Sequence, residues 1–306
     1  MLQGKDLVTI EDISLEEIMT VLETAQEFEK NGYPMDALKG NVIGSLFFEP
    51  STRTRLSFET AVKRMGGEVS GFAGTEQTSL KKGESLEDTV RIVDGYVDAI
   101  IMRHPDAGAV AIAADVAKTP VINAGDGSAD HPTQTLMDLF AIQKTQGTLE
   151  GLTIALVGDL KYGRVPHSLA KALSHFPTTK QIWVAPPSLR MPDDVRSFVK
   201  EKGIEVEEIE GIDSVIGVAD ILAMTRVQEE RFEDAAEYEK VKDAYILTLD
   251  MLSGAKENMK IIHPLPRRYE IPVEVDASPH AYYFEEAQGG VPIRAALLAH
   301  ILGKLK

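Results

Sequence analysis

The stretch FEPSTRTRLSFE, residues 48–59, places two arginines where a buried strand turns into a helix. The run 41–48 is apolar enough to form a buried strand, and apolar residues recur at helical spacing after Pro50. Between them stand three hydroxyl residues that favour helix starts, Ser51, Thr52 and Thr54. The helix is therefore predicted to begin near Thr52 and to end at Gly66-Gly67.

Arg53 and Arg55 fall in the first turn of this helix, where the unpaired backbone N–H groups and the helix dipole are already positive. Each cation there opposes the dipole by about 0.3 to 1 kcal/mol. A bound anion would reverse the sign of that effect, so hydroxyls, amides and guanidinium groups together could form a phosphate site. Alternatively, the arginines extend into solvent or pair with Glu49 and Glu59. These residues alone leave both interpretations open.

The composition limits the class of protein. The chain has 306 residues, 43% of them apolar, which suggests two domains of ordinary size. The absence of Cys excludes disulfides, thiolate metal sites and a thiol nucleophile, and the seven His are not paired at metal-ligand spacing. The formal charge of −16 argues against broad binding of nucleic acid or anionic membranes. With no signal peptide or apolar span in view, we expect a soluble, cytoplasmic protein.

Strand-like and helical patterns alternate along the chain, which predicts an α/β protein with parallel sheets flanked by helices. The predicted strands are 41–48, 97–102, 120–123, 152–157, 181–185, 219–224, 244–249 and 260–263. A second series of strands starts at Leu152, so a domain hinge is expected just before it. Gly289-Gly290 precedes a last amphipathic helix of about residues 292–302.

Ligands of open parallel sheets bind beyond the carboxyl ends of the strands. Five such places carry polar residues here. In the first half they are Arg103-His104-Pro105 and the glycine-rich turn that runs to His131 and Gln134. In the second half they are VGDLKYGR with Arg164, MTRVQ with Arg226 and Gln228, and IIHPLPRR with His263, Pro264, Leu265 and Arg267. Any one of them could be an ordinary surface or structural group, but their occurrence in both halves favours a site.

Two other classes of protein share some of these sequence features. The turn GDLKYG follows a predicted strand, yet it lacks the G-x-G-x-x-G spacing by which backbone approaches a pyrophosphate, so NAD binding is disfavoured. A non-catalytic, two-lobed anion-binding protein of the periplasmic type would also have two α/β lobes and a charged cleft. His131, which can act as an acid or a base, and the missing signal peptide count against it.

With FEPSTRTR, RHP, HPTQ and HPLPR, the chain resembles the aspartate/ornithine carbamoyltransferase family over essentially its whole length. SLKKGE (79–84), GDLKYGR and MTRVQ match the aspartate branch better than the ornithine branch, whose enzymes usually carry H-C-L-P at the last motif. The resemblance implies transfer of a carbamoyl group from carbamoyl phosphate to the amine of L-aspartate, an early step of pyrimidine biosynthesis. Another amino acid, such as ornithine, is the alternative acceptor.

The same resemblance implies roles for individual residues. Carbamoyl phosphate would contact Ser51, Thr52, Arg53, Thr54, Arg103, His131, Gln134, Pro264 and Leu265, with Ser79 and Lys82 supplied by another chain. Arg53, Thr54, Lys82, Arg103 and His131 would be catalytic. Aspartate would be held by Lys82, Arg164, Arg226 and Gln228. The loop at Ser79 is one residue shorter than in well-known bacterial members, and Lys82, next to Gly83, is the matching lysine.

The family also implies an arrangement of domains and partners. It predicts a carbamoyl-phosphate-binding domain (1–133), an interdomain helix and hinge (134–150), an aspartate-binding domain (151–289) and a C-terminal helix returning to the first domain (290–306). The active site would lie in the cleft between the two domains. We expect no cofactor and no metal, and no nucleic acid or membrane as a partner. A homotrimer with shared active sites is implied, and a zinc-containing regulatory chain is compatible with the resemblance.

Overall fold

The computed structural model describes residues 2–76, 78–229, 232, 234–242 and 244–305. The chain divides into two compact units, one formed by residues 2–137 with 288–305 and the other by residues 138–287. Each unit contains a parallel sheet with helices around it. The α/β class predicted from the alternating pattern is confirmed. No helix among the described residues is both long enough and apolar enough to cross a membrane.

The first unit has a four-stranded parallel sheet in the order β2-β1-β3-β4. Its strands are β1 (Val42–Phe47), β2 (Glu68–Ala73), β3 (Ala99–His104) and β4 (Val121–Asp126). Its helices are α1 (Leu15–Asn31), α2 (Thr52–Arg64), α3 (Leu86–Asp94), α4 (Ala109–Val116) and α11 (Gly290–Ile301), and α5 (Pro132–Gln146) begins in this unit. The last helix, α11, packs against both α1 and α2.

The second unit has a five-stranded parallel sheet in the order β7-β6-β5-β8-β9. Its strands are β5 (Thr153–Val157), β6 (Lys180–Val184), β7 (Val206–Ile209), β8 (Ile221–Met224) and β9 (Lys260–Ile262). The helices are α6 (Arg164–Leu173), α7 (Asp193–Glu201), α8 (Asp213–Ile216), α9 (Ala235–Val241) and α10 (Tyr283–Gln288). Side chains of β5, β6 and β8 form the centre of its apolar core.

Two strands were not predicted, and one predicted strand is absent. β2 and β7 each lie at one edge of their sheet, and their half-exposed, polar sequences lack the apolar run of a buried strand. The predicted strand at 244–249 is wrong: Tyr245 and Leu247 are buried in the core, but the segment pairs with no strand. A segment can bury alternate apolar residues without entering a sheet, and periodicity does not separate the two cases.

The turn after β5 needs a glycine. Gly158 has φ +122°, and a Cβ placed on it would lie 2.1 Å from the carbonyl oxygen of Thr225. Glycine therefore allows the turn that precedes Asp159 to approach the end of β8 closely.

Alanine at this φ would introduce strain of about 2 kcal/mol, which lowers the free energy of unfolding by that amount. We therefore expect Gly158→Ala to lower the thermal unfolding midpoint Tm of the protein by about 4–8 °C. Gly211→Ala is the matched control, because its φ is ordinary and nothing lies within 4 Å of the added Cβ. Differential scanning calorimetry of the two variants and the wild type makes the comparison. Equal midpoints for the two alanine variants would contradict this account of the turn.

Candidate active site

The start of α2 is an uncapped helix terminus. Ser51 occupies the N-cap position with extended backbone, but its side chain makes no capping hydrogen bond, and the first turn has no acidic residue. Thr54 is buried, whereas Thr52 and Arg53 are exposed. The predicted helix start at Thr52 and the stop at Gly66 are confirmed. The first-turn N–H groups and the hydroxyls of Ser51 and Thr52 are thus available to an anion.

The two arginines of this turn differ. Arg55 Nε donates to Glu59 Oε1 at 2.7 Å, so the ion-pair interpretation holds for this residue. Arg53 has no carboxylate within ion-pair distance among the described residues. Partial burial lowers the pKa of Arg53, and the nearby charge of Arg103 lowers it further. The cation without a compensating carboxylate is therefore Arg53, the residue expected to bind phosphate.

Arg103, near the end of β3, brings a second cation to this region. Its Nη2 lies 2.6 Å from Glu49 Oε1, and Nη1 donates to the carbonyl oxygen of Ala124 at 3.2 Å. Its buried Nε has no hydrogen-bond partner in the described part of the chain. Burial lowers the pKa of Arg103, while the charge of Glu49 and its hydrogen bond act in the opposite direction. Arg103 is thus held by a strand end, a carbonyl and a neighbouring carboxylate.

His131 and Gln134 lie at the start of α5 and are both buried. The backbone N–H of His131 donates to Asp130 Oδ1 at 2.6 Å, and Asp130 Oδ2 accepts from the N–H of Ile10 at 3.1 Å. The carbonyl of His131 accepts from the N–H of Gln134 at 2.9 Å. Asp130 therefore fixes the backbone that carries the histidine.

Ser79 and Lys82 lie on an exposed 3₁₀ turn, Ser79–Lys82, that ends at Gly83 with φ +89°. Lys81 pairs with Glu76, whereas Lys82 has no ion-pair partner among the residues described. Leu80 anchors the turn against the apolar core of the first unit. Neither Ser79 nor Lys82 forms a hydrogen bond or an ion pair with the residues at the start of α2 in this single chain.

In the second unit, Asp159 organises the residues expected to bind aspartate. This fully buried carboxylate follows β5 and accepts hydrogen bonds from the N–H groups of Tyr162 (2.9 Å) and Gln228 (3.3 Å). Burial raises the pKa of Asp159, which these hydrogen bonds and the charge of Arg226 partly oppose. The loop after β8, with Arg226 and Gln228, is thereby tied to the loop after β5. Arg164 is the first residue of α6, the helix that follows the loop after β5.

The turn after β9 carries Pro264 and Leu265, and His263 holds it in place. The N–H of Leu265 donates to His263 Nδ1 at 2.8 Å, which leaves Nε2 as the protonated nitrogen that contacts Glu270 Oε1 at 2.9 Å. Burial tends to raise the pKa of Glu270, but the hydrogen bond from His263 leaves this pKa below its usual value. Leu265 has φ +53°, a left-handed backbone conformation that is uncommon for residues other than glycine.

Within each unit the structure brings expected residues together: Ser51, Thr52, Arg53 and Thr54 near Arg103 in the first, and Arg226 with Gln228 beside Asp159 in the second. Arg267, noted in the sequence, is engaged structurally in an ion pair with Asp276. No role for Asp159 was predicted from the sequence, and Glu49 was expected only as a partner for the helix arginines. A carboxylate directly after a strand, as in VGD, was the signal for Asp159. The described residues contain no group of three potential metal ligands.

The chain matches two family models that together span most of its length. Residues 5–144 match the aspartate/ornithine carbamoyltransferase, carbamoyl-P binding domain. Residues 150–301 match the aspartate/ornithine carbamoyltransferase, Asp/Orn binding domain.

Relatives with known names are similar over almost the full chain. The aspartate carbamoyltransferase catalytic subunit of Parabacteroides distasonis is 51% identical over 303 residues, covering 99% of this chain and 98% of that protein. The catalytic subunit of Thermococcus kodakarensis is 49% identical over 306 residues, covering 99% and 98%.

Among solved structures, the aspartate transcarbamoylase of Trypanosoma cruzi in complex with carbamoyl phosphate aligns with a TM-score of 0.93 and 39% identity, covering 98% of this chain and 97% of that one. The catalytic subunit from M. jannaschii aligns with a TM-score of 0.90 and 45% identity, covering 98% of both chains. The fold, the two matched domains and the near-complete coverage lead to one conclusion: the chain belongs to the aspartate/ornithine carbamoyltransferase family.

Proposed function

We propose that this protein transfers the carbamoyl group of carbamoyl phosphate to the amine of L-aspartate, giving N-carbamoyl-L-aspartate and phosphate. The observation that carries the proposal is the uncapped start of α2, where Arg53 has no carboxylate partner among the described residues and Arg103 lies nearby. The structures of the Trypanosoma cruzi relative support it, since they include complexes with carbamoyl phosphate and aspartate. The reaction would be cytoplasmic and would serve pyrimidine biosynthesis.

The phosphate of the first substrate would bind at the first turn of α2. Ser51, Thr52 and Arg53 offer hydroxyl, backbone N–H and guanidinium donors, which suit a phosphate dianion. Negative charge that develops on the leaving phosphate would be stabilised by donors already in place. This role explains why a cation occupies a position that is unfavourable in the absence of an anion.

The carbonyl oxygen of the substrate would face Thr54, Arg103 and His131. Thr54 and His131 are buried, and Arg103 is largely so, which strengthens their interaction with developing negative charge. Gln134 would orient the carbamoyl amide. The backbone carbonyls of Pro264 and Leu265 would accept hydrogen bonds from its NH₂ group.

Aspartate would be held by Arg164, Arg226 and Gln228, together with Lys82. Guanidinium groups form bidentate contacts with planar carboxylates, so two arginines suit a dicarboxylate acceptor. Asp159 is a positioning residue here, because its hydrogen bond to the N–H of Gln228 sets the loop that carries both Gln228 and Arg226. The hinge would lie in residues 134–150, and closure of the domains over both substrates would supply positioning.

The chemistry needs no covalent intermediate with the enzyme. The neutral amine of aspartate attacks the carbonyl carbon, the new C–N bond forms, and the C–O bond to phosphate breaks. The nitrogen loses one proton to the departing phosphate, which takes the electron pair of the broken C–O bond and leaves as hydrogen phosphate. The protein contributes the stabilisation of charge on two oxygens and the alignment of two anions that repel each other in water.

We also propose a homotrimer in which Ser79 and Lys82 reach the site of a neighbouring chain. Both residues lie on an exposed turn and make no contact of the ion-pair or hydrogen-bond kind with α2 of their own chain. The name catalytic subunit, carried by the relatives, supports an oligomer. A zinc-containing regulatory chain is compatible with this proposal but is not required by it.

We expect Arg53→Ala to fold normally and to lower the turnover rate by on the order of 10²-fold, since one preorganised donor to the developing charge is removed. Arg64→Ala, at the other end of α2, is the control and should keep the wild-type rate. Steady-state assays of carbamoyl aspartate formation, with circular dichroism as the check on folding, give the measurement. Near-normal turnover of Arg53→Ala would overturn the assignment of the phosphate site.

The second test concerns the acceptor. We expect activity with L-aspartate and no measurable activity with L-ornithine under matched conditions, because Arg226 would repel the cationic side chain of ornithine. A compound that joins a phosphonate to aspartate should inhibit tightly. Higher turnover of ornithine would refute the aspartate assignment and leave family membership intact.

The third test addresses shared sites. Two inactive variants, Arg53→Ala and Lys82→Ala, are unfolded and refolded together to form mixed trimers. If sites are shared, some interfaces pair an intact Arg53 with an intact Lys82, and part of the activity returns. Mass spectrometry of the intact trimers confirms mixing. Confirmed mixed trimers without any recovery would show that Lys82 does not act across the interface.

A further inference from the structure

Arg294 is a buried cation in the middle of the apolar helix α11. Its side chain is 2% exposed, and its neighbours in the helix sequence GVPIRAALLAHI are almost all apolar. It forms no ion pair with a carboxylate of the described residues, and its buried Nε has no hydrogen-bond partner there. Proteins rarely bury a charge without a partner, because desolvation is costly. The burial of this charge therefore indicates a functional role for Arg294.

The guanidinium group of Arg294 contacts α2 directly behind its first turn. Nη1 hydrogen-bonds to Ser57 Oγ, and the group lies over the ring of Phe58 with 4.8 Å to the ring centroid. Ser57 Oγ in turn contacts the carbonyl oxygens of Arg53 (2.6 Å) and Thr54 (3.0 Å). A two-step chain of hydrogen bonds thus connects the buried cation with the backbone of the two residues proposed to meet the substrate.

The surrounding backbone leaves room for this group. A Cβ placed on Gly290 would lie 2.6 Å from Arg294 Nη1, so any other residue there would force the guanidinium group to shift. Met137 packs on the same side, with its sulfur 3.1 Å from that Cβ position. Gly290, the first residue of α11, therefore provides the space that the guanidinium group of Arg294 occupies.

Arg294 also belongs electrostatically to the anion site. Burial lowers the pKa of Arg294 to about 9, and the charge of Arg103 contributes to the shift. Arg103 acts in the same direction on Arg53. The charge of Arg103 therefore acts on both Arg53 and Arg294, and of these three arginines only Arg103 is paired to a carboxylate among the residues described. At neutral pH all three are protonated, so an anion at the start of α2 would relieve their mutual repulsion.

We propose that Arg294 is a positioning residue of the anion site: it braces the first turn of α2 through Ser57 and holds a positive charge behind it. Arg294 touches neither substrate nor reacting atoms in this scheme. The inference deepens the proposed function, on which its kinetic part rests, whereas its phosphate-binding part does not depend on any reaction. A purely structural Arg294 would hold α11 on α2 without affecting the affinity for anions.

The test uses the full-length protein with inorganic phosphate as the probe and isothermal titration calorimetry as the measurement. We expect Arg294→Met to weaken phosphate binding by about tenfold, the order of magnitude for losing one partly shielded charge behind the site. Without phosphate, the Tm of this variant should not fall, because an apolar side chain replaces an unpaired cation. A lower Tm together with unchanged phosphate affinity would overturn the proposal in favour of a structural role.

Arg64→Met is the matched control, since it removes the same charge from the opposite end of α2. About 16 Å of helix separates that residue from Arg53, beyond the screening length of about 8–10 Å in physiological salt. Its phosphate affinity should equal that of the wild type. An equal loss of affinity in both variants would show a non-specific effect of net charge and overturn the proposal.

Ser57→Ala provides a second variant that keeps the charge of Arg294 and removes the bridge to α2. It should weaken phosphate binding by about threefold, less than the loss of the charge itself. Unchanged affinity in Ser57→Ala would refute the bracing part of the proposal, even if Arg294→Met did not fold. Arg294→Lys should recover part of the affinity lost in Arg294→Met.

The kinetic part separates this inference from the proposed function. For Arg294→Met we expect the KM for carbamoyl phosphate to rise by about tenfold and kcat to change by less than about threefold, as binding before the transition state is lost. A wild-type protein that binds phosphate but forms no carbamoyl aspartate would refute the proposed function alone. A kcat loss as large as that of Arg53→Ala, with KM unchanged, would refute the positioning role.

Discussion

The uncompensated positive charge at the start of α2 is the constraint on which the rest of the first unit depends. A helix terminus already carries partial positive charge, and this one has neither a side-chain cap nor an acidic residue in its first turn. Arg53 adds a full charge with no carboxylate partner among the described residues, Arg103, which is paired with Glu49, lies nearby, and the buried Arg294 adds a further charge behind the turn. The packing of α2 on β1 and α11 brings these groups together, at a cost in free energy that the sheet and the apolar core must offset.

The second unit is organised around a buried anion, whereas the first is organised around cations. Its central polar group is a buried carboxylate, Asp159, which accepts backbone hydrogen bonds from the loops after β5 and β8. Gly158 allows the close approach of those loops. His263 performs a similar task for the turn after β9, with one nitrogen accepting from Leu265 and the other contacting Glu270. In each case a buried polar side chain fixes a strand-end loop, and that loop carries the half-buried residues proposed to bind substrate.

The central strands and the start of α2 could be predicted from the sequence, because both follow from local patterns: buried apolar runs, hydroxyl residues at a helix start and glycines at its end. The strands β2 and β7 could not, since these two strands are half-exposed and polar and lack the apolar run on which the prediction depends. Candidate binding residues were found at strand ends because parallel sheets bind ligands there. Asp159 acts through backbone groups that are distant in sequence, and the partner of Arg294 lies 237 residues away, so neither contact has a local signal.

The account is tested most directly by the dependence of thermal stability on phosphate. The Tm of the wild type and of Arg53→Ala would be compared in phosphate and in potassium chloride of equal ionic strength. Without phosphate, Arg53→Ala should be at least as stable as the wild type, because a cation that opposes the helix dipole has been removed. Phosphate should then raise the Tm of the wild type much more than that of the variant. A lower Tm of Arg53→Ala without phosphate, or an equal rise in both proteins, would contradict the claim that this turn is built for an anion.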